Sequence, residues 1–179
     1  MILSDYDLEN AIRTKRLVLK PFRKDAIREN GLDLRLADEI AYRNPVLGND
    51  TLFDPTNAEH VKNEYIVKKK QKSMVVHPHS QVLLSTDEYI HLPDDAMGFV
   101  ELRSTWARHG LSMPPTIIDA GFAGTVTLEV INNAPYPMLL KPHMRFAHVI
   151  FAATLNKVTN AYAGSYFNQR GIKLPKLLK

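Results

Sequence analysis

Apolar positions along the chain follow two rhythms. Behind Ser4, Asp5, Tyr6 and Asp7, the residues Leu8, Ala11 and Ile12 recur at helical spacing, and a serine with an acid three places on is a capping signature. A short helix is therefore predicted at the start. Residues 17–22 turn to alternation, and Gly31-Leu32-Asp33-Leu34-Arg35-Leu36 alternates with period two, which predicts the first two strands. Residues 43–72 are polar, are broken by Asn44-Pro45 and Asp54-Pro55, and hold no sustained apolar period before Tyr65-Ile66-Val67, so they read as a surface excursion. Strand-like runs return at 74–76, 81–85, 89–92, 97–102, 125–131, 138–141 and 146–152, bounded by turn residues such as Pro78, Pro93-Asp94-Asp95, Asn132-Asn133 and Pro142. Residues 104–109 predict one more helical turn or two. Many short strands without a long helix after each one predict an all-β fold, a distorted β-barrel or jelly roll, rather than a doubly wound sheet.

Composition narrows the picture. With 179 residues, 45% of them apolar, the chain suits one domain spanning 1–179 with a real core. It has no cysteine, which removes disulfides, thiolate nucleophiles and Cys-containing zinc sites. His77-Pro78-His79 does not have the one-faced spacing of a helical metal pair, so no protein metal site is expected. No apolar run reaches the roughly 20 residues that span a bilayer, and Met1-Ile2-Leu3-Ser4-Asp5 lacks a secretory pattern. These features predict a soluble, cytoplasmic protein with no membrane partner. The net charge of +4 owes much to Lys68, Lys69, Lys70, Lys72, Lys173, Lys176 and Lys179, read as a solvated loop and tail and not as a nucleic-acid surface. Residues 164–179 carry little apolar content and read as a flexible tail that closes on ligand.

Four segments carry candidate chemistry. Arg103-Ser104-Thr105-Trp106-Ala107-Arg108 offers guanidiniums, hydroxyls and main-chain N–H groups to phosphate oxygens, although a surface helix capped by Ser or Thr explains it as well. Asp119, between Ile117-Ile118 and the turn Ala120-Gly121, is placed to orient and deprotonate a water, or simply to bond its own turn. In Thr125-Val126-Thr127-Leu128-Glu129-Val130, Glu129 shares one strand face with Thr125 and Thr127; it is a solvated acid, or a proton carrier if that face lines a pocket. Residues 162–171 mix Tyr162, Tyr166, Phe167, Asn168, Gln169 and Arg170 with flanking glycines, a set that stacks on a base and bonds its edge, or belongs to a disordered tail.

Taken in order, these segments resemble the deoxyuridine triphosphatase and deoxycytidine triphosphate deaminase superfamily, closest to its archaeal dUTPase-like branch. Met1-Ile2-Leu3-Ser4-Asp5 and residues 27–35 are similar to its opening and first motif. Arg103-Ser104-Thr105 resembles the phosphate motif Gly-Arg-Ser-Ser, with Leu102 in the glycine's place. Residues 118–124 resemble the motif in which an aspartate holds the attacking water and an aromatic packs on deoxyribose, which implies those roles for Asp119 and Phe122. An aromatic there leaves no room for a 2′-hydroxyl. Glu129 stands where the deaminase branch keeps its catalytic glutamate. Arg145-Phe146-Ala147-His148 is similar to Arg-Ile-Ala-Gln, and residues 166–171 to a closing Tyr-x-x-Gln segment whose preceding lysine is here Ser165.

The resemblance implies a dUTPase-like barrel of the β-clip type, nucleotide binding by Arg103, Ser104, Thr105, Arg108, Phe122, Arg145, Tyr162, Tyr166 and Gln169, Mg²⁺ carried on the phosphates, and a homotrimer with sites between subunits. Met113-Pro114-Pro115-Thr116-Ile117 lacks the His and Arg that deaminases of this superfamily hold near the attacking water. On that ground the expected activity is hydrolysis of dUTP to dUMP and pyrophosphate, with Asp119 as base. The alternatives are a zinc-free dCTP deaminase using Glu129, an enzyme with both activities, and a silent nucleotide-binding protein on the same barrel.

Overall fold

A computed structural model of the chain describes residues 1–48 and 52–178. Residues 49–51 of the expected excursion, and Lys179 at the end of the tail, lie outside the described residues. In chain order the elements are α1 (Asp5–Arg13), β1 (Val18–Lys20), β2 (Ile27–Arg28), β3 (Gly31–Arg43), α2 (Ala58–Lys62), β4 (Tyr65–Lys68), β5 (Met74–Val76), β6 (Gln81–Thr86), β7 (Tyr89–His91), β8 (Ala96–Leu102), α3 (Ser104–Arg108), β9 (Leu111–Ser112), β10 (Thr116–Ile118), β11 (Ala123–Gly124), β12 (Thr127–Asn132), β13 (Met138–Leu140) and β14 (Arg145–Ala153).

The opening helix forms for the reason its sequence gives. Asp7 donates its N–H to Ser4 Oγ, and the Asp7 carboxylate accepts the Ser4 N–H in return, which satisfies two donors that a helix start leaves unpaired. Leu8 is fully buried beneath it.

The main sheet runs β10-β8-β14-β3-β6-β12-β9, with β2 and β4 also paired to β3; β1, β7 and β11 form a second sheet, and β5 pairs with β13. Strand β3 governs the architecture. Its first half pairs with β14, Asp33 opposite His148, and its second half pairs with β6 and β4, Ala41 opposite Leu83 and Val67. Between Leu36 and Ile40 the register slips, a bulge that bends the strand and curls the sheet into a half-barrel. Alternation breaks over Ala37, Asp38 and Glu39, so the pattern reads as a strand ending at Leu36, whereas pairing carries it on to Arg43. The expected all-β barrel class is what the chain adopts.

Inward-facing Leu32, Leu34, Leu36, Val100, Leu128, Val130, Phe146, Val149 and Phe151 form the core and are all essentially inaccessible. The excursion is more ordered than its composition suggests. Asn57 caps α2 by accepting the N–H groups of Glu59 and His60, and β4 then extends the sheet beside β3. Among the described residues no helix is long and apolar enough to cross a membrane.

The C-terminal segment lies along residues 123–127. Asn168 N–H donates to the Ala123 carbonyl, Thr125 N–H to the Gln169 carbonyl, and Lys173 N–H to Thr127 Oγ1 at 3.0 Å. Ile172 and Leu174 pack on a small cluster of Ala41, Tyr65 and Leu83.

Candidate active site

Strand β12 supplies the acid. Thr127, Glu129 and Ile131 face outward while Leu128, Val130 and Asn132 are buried, the alternation that the sequence shows. By register, Glu129 stands opposite Leu83, Leu83 opposite Ala41, and Ala41 opposite Val67, one row across four strands. The C-terminal segment roofs that row. Glu129 thereby lines a cavity of about 500 Å³ together with Asp119, Phe122, Tyr162, Tyr166 and Gln169. Burial pushes the Glu129 carboxyl above its ordinary range, and a main-chain hydrogen bond only partly offsets it.

The other members of this cavity come from turns. Phe122 N–H donates to the Asp119 carbonyl at 3.0 Å, closing a turn in which Gly121 takes φ +82°, and Asp119 projects exposed at the rim. Phe122 packs on Tyr162 with ring centres 5.7 Å apart, and the Tyr162 hydroxyl accepts the Tyr166 N–H at 3.2 Å. Gln169 is 6% exposed; its Nε2 donates to the Thr125 carbonyl, while Oε1 has no partner. An acceptor left free in a pocket wall is available to a ligand donor.

Among the lining residues that escape a reading of motifs are Arg43, Glu64 and Tyr65, all within the excursion. Arg43 pairs with the buried Glu64, donates to Gln81 Oε1 at 3.0 Å, and lies 4.7 Å over the Tyr65 ring. Twenty-one positions separate Arg43 from Glu64 in sequence. Only the pairing of β3 with β4 brings them together, and no local pattern announces it.

The phosphate-motif residues lie elsewhere. Arg103, Ser104 and Thr105 line a second, shallower cavity of about 300 Å³ with Asp33, Glu101, Leu102 and His148, and the two cavities share no lining residue. Trp106 fixes α3 here by packing on Phe146 at 5.5 Å and donating Nε1 to the Arg145 carbonyl at 2.9 Å. The Arg145 guanidinium reaches to 3.8 Å from Asp33, whereas Arg108, exposed on α3, lines neither cavity. Burial pushes the Asp33 carboxyl up, but the His148 hydrogen bond and the charges of Arg103, His148 and Arg145 outweigh it and bring the carboxyl below its ordinary value.

Among the described residues no three His, Cys, Asp or Glu side chains converge to hold a metal ion. The donor set present, Asp119 and Glu129 in one cavity and guanidiniums in the other, fits a Mg²⁺ ion that enters on the substrate's phosphates and keeps most of its water.

The curled β half-barrel is a fold shared with solved dCTP deaminase and dUTPase structures. The family described as dCTP deaminase-like matches residues 2–154, and the chain belongs to it. A dCTP deaminase of Saccharolobus solfataricus is 46% identical over 176 residues, covering 98% of this chain and 92% of that protein. Among solved structures, dCTP deaminase from Agrobacterium tumefaciens superposes with a TM-score of 0.64 at 19% identity over 84% of this chain, which spans about half, 46%, of that longer one. A dUTPase from phage phi11 of Staphylococcus aureus, a mutant described with a structural Mg(II) ion, superposes at 0.51 with 13% identity, over 83% of this chain and 97% of that one. The last two likenesses concern the fold.

The relatives favour the deaminase alternative over the dUTP hydrolysis expected from residues 113–117. Residues 116–118 form β10, an edge strand paired with β8, and Thr116 and Ile117 line the larger cavity, so this run belongs to the site although it carries neither His nor Arg.

Proposed function

We propose that this protein is a zinc-free dCTP deaminase, which hydrolyses the 4-amino group of dCTP to give dUTP and ammonia. The carrying observation is Glu129, a carboxyl in the cavity wall whose proton affinity burial has raised. A base of that kind takes a proton from water as the hydroxide adds to C4, and hands that proton to the cytosine ring nitrogen N3. It then takes the proton of the new C4 hydroxyl and hands it to the departing 4-amino group, so that the C4 carbonyl forms, ammonia leaves and the carboxylate is restored. Without cysteine the His/Cys/Cys site of zinc deaminases cannot be assembled, so water activation rests on the carboxylate.

The remaining residues divide the substrate among them. Phe122, braced by Tyr162, is the platform for deoxyribose. Gln169 Oε1, buried without a partner, is an acceptor matched to the 4-amino donor of cytosine. Arg103, Ser104 and Thr105 bind the triphosphate, which enters as its Mg²⁺ complex and so carries the ion's charge neutralisation with it. Since these three lie outside the Glu129 cavity of their own chain, the reading requires a second copy to complete each site, in a homotrimer. Phe99 and Ile117, 39% and 52% exposed and opposite each other on β8 and β10, supply an apolar outer face for that contact.

Asp119 in the same cavity favours a second activity, hydrolysis of dUTP at the same site. The test is an assay of ammonia and pyrophosphate from dCTP and from dUTP with Mg²⁺. Ammonia from dCTP, abolished in Glu129→Gln, is expected. Pyrophosphate release that fails in Asp119→Asn, while ammonia release persists, identifies a bifunctional enzyme. Pyrophosphate from dUTP without any ammonia from dCTP refutes the deaminase reading.

A further inference from the structure

The smaller cavity is built over a carboxylate to which the function described above gives no role. Asp33 is 2% exposed. Its Oδ1 lies 3.0 Å from His148 Nδ1, and its Oδ2 has Arg103 Nε at 3.2 Å and Arg145 Nη1 at 3.8 Å but no aligned hydrogen-bond donor. Strand register sets this up, because Asp33 of β3, His148 of β14 and Glu101 of β8 stand side by side across three strands. Gly31, two places before Asp33, keeps the space clear. A Cβ there would come within 2.6 Å of His148 Nε2 and collide with the Val149 carbonyl, so the imidazole is confined between the bare glycine and the acid.

We propose that Asp33 is a positioning residue for anion recognition: it holds Arg103 by the inner side of its guanidinium so that the outer side faces the triphosphate. Arg103 Nη1 also donates to the Arg145 carbonyl at 3.4 Å, and among the described residues Nη2 makes no hydrogen bond. Arg103 lines the cavity together with Ser104 and Thr105, so a guanidinium drawn to Asp33 by charge at Nε and bonded at Nη1 keeps Nη2 for an anion there. A planar fork fixed in advance loses less freedom on binding an anion than a free one. This role rests on the proposed binding of phosphate by Arg103.

Electrostatics separates positioning from bulk charge. Asp33→Asn keeps the shape and removes one negative charge, so an anion site governed by net charge binds tighter after the change. A site governed by aim binds weaker. The experiment is titration of the intact protein with inorganic tripolyphosphate, followed by the fluorescence of Trp106, the sole tryptophan, with thermal melts as the folding control. Asp33→Asn is expected to weaken binding about tenfold. Arg103→Lys, a change at the surface that keeps the charge and loses the fork, is expected to weaken it nearly as much as Arg103→Ala. Unchanged or tighter binding by Asp33→Asn overturns the proposal, as does full replacement of Arg103 by lysine should Asp33→Asn not fold. If Arg103→Ala itself binds as wild type does, the phosphate reading beneath the proposal fails instead.

Discussion

Glu39 Oε1 accepts the main-chain N–H of Ile172 at 2.7 Å, joining positions 133 residues apart, and the Ser85 hydroxyl donates to the same oxygen at 2.8 Å. A carboxylate buried in the β3 bulge thus holds the C-terminal segment against the sheet. Gly171, immediately before the anchored N–H, has φ +66°, and a Cβ there would collide with Glu39. Gly171→Ala therefore carries about 1–2 kcal/mol of left-handed strain in addition to the clash. The expected result is a detached segment: KM for the nucleotide rises up to about tenfold, kcat falls less, and limited proteolysis cuts the chain after residue 163 faster than in wild type.

Glu129 has opposite effects on stability and on turnover. Its folded pKa lies above the unfolded value, so the stability it contributes is fully present below about 4.5 and is lost as pH rises through the folded value. Glu129→Gln is expected to melt higher than wild type at neutral pH, with the difference vanishing in acid, while kcat falls by about 10²–10⁴. Wild-type kcat/KM should rise with pH through a value above 4.5. Calorimetry and a pH–rate profile check both; an acid limb at or below the ordinary glutamate value removes Glu129 as the base.

On the proposed function, the Phe122 ring in the cavity wall takes the space of a ribose 2′-hydroxyl. Phe122→Ala opens that space and loosens Tyr162, its ring neighbour. The ratio of kcat/KM for dCTP over CTP is expected to fall about tenfold. Competition between the two nucleotides in one assay measures it directly.

Much of this was legible in the residues themselves. The Ser4 capping box, the clean alternation of residues 127–132 and the turn at Asp119-Ala120-Gly121-Phe122 are local, and local chemistry writes itself into sequence. The second half of β3 was not legible, because a bulge destroys the period that marks a strand. Arg43 and Glu64 were hidden for a different reason, since their meeting depends on strand pairing across the polar excursion. That Arg103 and Glu129 line separate cavities of one chain is a matter of tertiary packing, which motif order does not display. The Pro114-Pro115-Thr116-Ile117 run pointed to dUTP hydrolysis, whereas the relatives that the chain resembles over nearly its whole length are named dCTP deaminases.

Strand β3 contributes to both cavities, Asp33 near its start to the smaller and Arg43 at its end to the larger, and the two share no lining residue. The proposed function therefore assigns the two halves of one site to different copies of the chain. In a cyclic trimer, any mixture of Arg103→Ala and Glu129→Gln chains has one interface at which both partners contribute their intact half. Two inactive proteins, unfolded together and refolded in equal amounts, should therefore recover about a quarter of the wild-type activity by complementation. Chains that each carry a whole site would recover none.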